Sequence, residues 1–103
     1  MNTFNFDTAY AVWQKVTFKF PSDDGEKVNT LHGEVKFRVP DFDSITDRKI
    51  SDFIEDWRNI PGEGEFNRVI LEKRMKNPIF FRAMDDAWVA VLRGEFLTKN
   101  SAT

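Results

Sequence analysis

Two runs of alternating side chains constrain this chain more than anything else in it. Val12, Gln14, Val16, Phe18 and Phe20 fall on one side of an extended backbone, and Trp13, Lys15, Thr17 and Lys19 fall on the other. Further along, Leu31, Gly33, Val35, Phe37 and Val39 alternate with Thr30, His32, Glu34, Lys36 and Arg38. Successive side chains of a strand point to opposite faces, so a period of two identifies strands, here over 11–20 and 30–39. Pro21 and Pro40 close the two runs, and Pro21-Ser22-Asp23-Asp24-Gly25-Glu26-Lys27 lies between them. Asp favours turns and Gly25 can take positive φ. The two runs therefore predict an antiparallel hairpin with one apolar and one solvated face.

An apolar sheet face has to be covered, and the rest of the chain reads as helical. Ser44 and Thr46 are candidate N-caps, with Asp41, Asp43 and Asp47 favourably placed at a helix start. Ile50, Phe53, Ile54 and Trp57 follow at i, i+3, i+4 and i+7, one face of a helix. Asn59-Ile60-Pro61-Gly62-Glu63-Gly64 breaks it. A second helix is expected over about 65–75, with Phe66, Val69 and Ile70 inward. Asn77 then suits an N-cap and Pro78 the first helical position of a last helix over 78–93. Gly94 suits its C-terminal cap, with Phe96 and Leu97 packing back. Strands followed by helices predict an α+β fold. The expectation is one domain over 1–103: an N-terminal antiparallel β-hairpin followed by about three α-helices packed on its apolar face. Residues 1–9, with Phe4 and Phe6, read as an arm, and 98–103 as a frayed tail.

Composition removes most chemistry. The chain has 103 residues, no cysteine and one histidine, so no disulfide, cysteine–zinc site or Ser–His–acid arrangement is available with a spare member. His32 lies on the polar face of the second strand and reads as a surface residue. Asp23-Asp24-Gly25-Glu26 lacks the alternating oxygen ligands of a calcium loop and reads as a hairpin tip. Asp85-Asp86 reads as a solvated helix face. Gly62-Glu63-Gly64 lacks the Lys-Ser/Thr of a phosphate loop. These readings predict no enzyme, no cofactor and no metal site. The 15 basic and 17 acidic residues leave a net charge of −2, which argues against binding a nucleic acid backbone. Glu72-Lys73-Arg74-Met75-Lys76 is the densest basic segment and suits a helix C-terminus. No apolar run reaches membrane-spanning length, and Met1–Asp7 lacks the pattern of a secretory signal.

What remains is apolar surface. Aromatics make up 15% of the chain, with eleven Phe and three Trp, and aromatic side chains dominate interfaces as well as cores. The last helix carries Phe80, Phe81, Ala83, Met84, Ala87, Trp88, Val91 and Leu92, a stripe covering more than half its circumference. Two readings are open. It is a central helix contacted on two sides, or one edge meets a partner through Phe81, Trp88 and Leu92, rimmed by Arg82, Asp85 and Arg93. A two-stranded sheet also leaves unpaired edges, which with the apolar excess predicts a homo-oligomer. The competing reading from another class is a nucleic-acid-binding accessory protein, using Trp13, Lys15 and Lys19 with His32, Lys36 and Arg38 on the outer face of the hairpin.

The order of segments resembles the tail assembly chaperones of long-tailed bacteriophages and prophages. The matching elements are Gly33-Glu34-Val35-Lys36-Phe37-Arg38, Phe53-Ile54-Glu55-Asp56-Trp57, Gly64-Glu65-Phe66-Asn67, Asn77-Pro78 through Leu92, and Lys99-Asn100. The resemblance spans about residues 15 to 100. It implies a non-enzymatic, self-associating protein in the cytoplasm of the bacterial host. Such a protein binds the tape measure protein, keeps it soluble and helps recruit tail tube subunits.

Overall fold

Both alternating runs form strands, β1 (Tyr10–Pro21) and β2 (Val28–Val39), paired antiparallel from Tyr10 opposite Val39 to Pro21 opposite Val28. The structure, a computed structural model, describes residues 10–40, 42–45 and 48–95. The arm over 1–9, Asp41, Thr46, Asp47, Phe96, Leu97 and the tail over 98–103 lie outside the described residues. The turn is built as its residues suggest. Gly25 has φ +72°, and the Asp24 carboxylate accepts from the Ser22 hydroxyl and the Glu26 N–H. These bonds hold the Asp24 carboxyl below the ordinary aspartate range, the Ser22 hydroxyl contributing most.

The segment over 44–57 departs from the helix its spacing suggests. α1 (Phe42–Ile45) is a single turn with Ser44 inside it and not at its cap, and a 3-10 turn covers Ile50–Phe53. The chain then enters a third strand, β3 (Ile54–Arg58), antiparallel to β2. The sheet order is β1-β2-β3. The cause of the misreading is a bulge. Asp56 pairs with Lys36 while Ile54 pairs with Phe37, so Glu55 is an extra residue on β3. A bulge restores the same face after three residues instead of two. Ile54 and Trp57 are both buried, and their spacing imitates a helix.

Two helices cover the inner face. α2 (Arg68–Arg74) begins after Asn67, whose side chain accepts from the N–H groups of Val69 and Ile70. Its buried residue is Leu71, with Ile70 partly buried, whereas Val69 is 78% exposed and not inward. α3 (Pro78–Leu92) starts on Asn77, which caps Ile79 and Phe80, and stops at Gly94 with φ +80°. Among the described residues, a three-stranded sheet with α2, α3 and the single turn α1 stands where the sequence predicts a hairpin with about three helices.

Phe37, Ile54, Leu71, Met84, Val16 and Val35 are fully enclosed. Trp88 stacks on Phe53 at 4.9 Å and 6°, and meets Phe37 at 5.2 Å. Trp57 meets Phe66 edge-on at 5.1 Å and donates its indole N–H to the Gly64 carbonyl at 2.9 Å. Gly33 is where the chain leaving β3 crosses the sheet. A Cβ there would lie 2.7 Å from Ile60 Cδ1 and 2.9 Å from the Asn59 carbonyl oxygen. Gly33 is thus needed for close approach of backbone to backbone.

Candidate protein-binding surface

α3 crosses beneath β1 and shows solvent two different flanks. The first carries the residues singled out from the sequence. Phe81 is 45% exposed and Leu92 38% exposed, with Asp85 half-buried between them and Arg82 exposed beside them. Trp88 does not join them. It is 5% exposed in the core, which selects the central-helix reading for that residue. The predicted edge therefore reduces to Phe81 and Leu92 with Arg82 and Asp85, three turns of helix apart at its ends. Phe81 also lines a hollow with Ile50, Met75, Arg48, Lys49 and Lys76.

The second flank was not legible in the linear pattern. Ile79, Arg82, Ala83, Asp86, Ala87 and Ala90 face Lys15, Thr17 and Lys19 of β1 across an open groove of about 610 Å³. The strand side of this groove is a sheet edge. Ser22 donates its N–H to the Lys27 carbonyl at 2.9 Å, and the two residues are in register. In an antiparallel ladder alternate residues bond across, so even-numbered residues of β1 pair with β2. The odd-numbered ones turn their N–H and C=O groups outward. Lys15 agrees, since its N–H is taken by the Gln14 side-chain oxygen at 3.1 Å. Gln14 is 6% exposed, and its amide donates to the Glu95 carbonyl beyond the end of α3. Among the described residues, Thr17 and Lys19 have no such cover.

The outer face of the sheet around Trp13 and β3 is closed by its own charges. The Arg58 guanidinium sits 4.0 Å from the centre of the Trp13 ring and reaches Glu34 at 2.7 Å. Glu34 raises the Arg58 pKa further, chiefly through this hydrogen bond. Arg38 and Glu55 approach to 3.9 Å. Trp13, the aromatic a stacking base would need, thus already carries a cation on its ring. His32 lies exposed on this face, its Nδ1 3.2 Å from the Thr17 hydroxyl. Glu63 of the Gly62–Gly64 loop pairs with Arg74 at 2.7 Å. Among the described residues no three His, Cys, Asp or Glu side chains are grouped to hold a metal ion, and no helix is long and apolar enough to cross a membrane. Comparison with family models, with curated proteins and with solved structures found no match to this chain.

Proposed function

We propose that this chain is a non-enzymatic tail assembly chaperone of a long-tailed bacteriophage or prophage. In this reading it binds the tape measure protein in the host cytoplasm, helps recruit tail tube subunits and self-associates. The observation that carries the binding role is the exposed Phe81–Leu92 flank of α3. It is apolar surface on a helix held in the core by Trp88, which lies between the two along the same edge, and such rigidly held aromatic and aliphatic side chains serve as interface anchors. The family assignment rests on the resemblance in sequence alone, and the resembling segments fall as follows. Gly33–Arg38 lies in the second half of β2, Phe53–Trp57 runs into β3, Gly64–Asn67 meets Trp57, and Asn77–Leu92 caps and forms α3.

The test is co-expression with the tape-measure-like product of the adjacent reading frame. The wild-type chain keeps that client soluble and co-purifies with it. Phe81→Ser/Leu92→Ser stays folded by circular dichroism and loses the client. Trp88→Ala instead unfolds the domain, at a cost of about 3–5 kcal/mol, because it empties a stacked core site. A folded Phe81→Ser/Leu92→Ser protein that still holds its client removes this flank from the function. The absence of any tape-measure-like neighbouring frame counts against the phage assignment, and sedimentation showing only monomer at high concentration counts against self-association.

A further inference from the structure

We infer that the groove between the free edge of β1 and the Ile79–Ala90 flank of α3 takes an extended, acidic polypeptide segment as a fourth strand of the sheet. This rests on the reading that the protein works by binding polypeptide, and it specifies the conformation and charge of what is bound.

Three observations converge on that occupant. The first is the edge. Thr17 and Lys19 turn N–H and C=O groups into the groove that are unpaired among the described residues, and an extended chain is the partner that satisfies such a row. The second is the floor. Ala83, Ala87 and Ala90 keep α3 low beside β1, and Ile79 adds an apolar wall, leaving width for a backbone alongside the strand. The third is charge. Lys15, Lys19 and Arg82 line the groove against Asp86 alone, and Lys73 and Lys76 continue the positive surface into the adjoining hollow at Phe20 and Ile79. None of these five cations is in an ion pair among the described residues. They are gathered on one side of a chain whose net charge is −2.

The pleat then dictates a pattern. In an added strand, every second side chain lies beside Lys15, Thr17 and Lys19 on the outer face, where acidic groups are favoured. The intervening ones point down onto Ile79 and the alanines, where apolar groups are favoured. A second copy of β1 is the poorer occupant. Antiparallel pairing about Thr17 sets Lys15 of one copy opposite Lys19 of the other, and like charges directly opposite destabilise a sheet. A nucleic acid strand would find cations here but no exposed aromatic ring in the groove to stack on.

The experiment uses the full chain and a labelled peptide of alternating Glu and Val, followed by fluorescence anisotropy. The peptide binds saturably, more weakly as salt rises, and slows amide exchange at Thr17 and Lys19. A Lys-Val peptide does not bind. Methylating the peptide nitrogens on the pairing side lowers affinity by about tenfold or more. So does Thr17→Pro, which removes an outward N–H and leaves the β1–β2 ladder bonds in place. Lys19→Glu/Arg82→Glu does the same through charge, and it keeps the test decisive if the proline variant fails to fold. No saturable binding of the Glu-Val peptide up to about 1 mM overturns the inference. So do indifference to N-methylation, protection confined to residues outside β1, and preference for an oligonucleotide over the peptide. If the inference fails while Phe81→Ser/Leu92→Ser still releases the client, polypeptide binding stands and only this groove is lost. If both fail, the binding reading falls with it.

Discussion

The two edges of the sheet are finished differently. β3 is five residues long and bulged at Glu55. Its outward Trp57 N–H is met by the Asp56 carboxylate at 2.8 Å, and Arg68 donates to the carbonyls of Ile54 and, at 2.9 Å, Ser51. Shortness, a bulge and charged cover are the usual means of blunting an edge. β1 is twelve residues long, and Gln14 covers one N–H near one end. The sheet thus has one sealed side and one side that can accept a strand. Association directed at one edge needs both conditions, since two open edges would let copies and clients pair indiscriminately.

The largest expected effect comes from breaking the sealed side at its root. Trp57→Ala removes a buried ring and its bond to Gly64, at a cost of about 3–5 kcal/mol in denaturant unfolding. Proline scanning sharpens the comparison more directly. Val16→Pro removes a ladder bond and leaves the facing Gly33 carbonyl without its donor, at a cost of about 1–3 kcal/mol or more. Thr17→Pro, one residue away, costs much less because its N–H faces outward. Equal costs would show that the assignment of the β1 edge is wrong. Gly33→Ala forces Ile60 and the Asn59 carbonyl off β2, and is expected to cost about 1–3 kcal/mol. Arg68→Ala uncovers the β3 edge at a similar or smaller cost, about 1–3 kcal/mol, and raises self-association in light scattering. The hairpin tip, away from both helices, is the mildest case. Asp24 titrates below an ordinary aspartate in NMR. Its contribution to stability is complete above the ordinary value and fades only as pH falls through the lowered one.

These edges mark the limit of what one dimension can say. The faces of β1 and β2 were legible because each strand carries a full alternation, down to Gly33 on the inner face. The ends of α3 were legible because Asn77-Pro78 and Gly94 are local signals, each acting within a turn of its own position. β3 was hidden because the Glu55 bulge turns a period of two into a three that reads as helical. The phase of α2 was missed because Asn67 is its cap and Phe66 lies before it, which carries Leu71 inward and Val69 out. Phe81 and Leu92 of the stripe are exposed and Trp88 is buried, a difference that spacing alone does not reveal. Which side of a wide stripe meets the sheet depends on the β1-β2-β3 order, and that order was not visible without the third strand.

The bond from Gln14 to Glu95 joins residues 81 positions apart. β1 is the first described element to be made and α3 the last, yet α3 is what covers β1. Hairpin pairing is local and fast, whereas closing this long loop is slow. On the ribosome, Val16, Phe18, Val35 and Phe37 therefore stay uncovered until translation has passed Leu92. A chain stalled or cleaved before that point carries an uncovered apolar sheet face, the kind of surface through which incompletely folded chains aggregate.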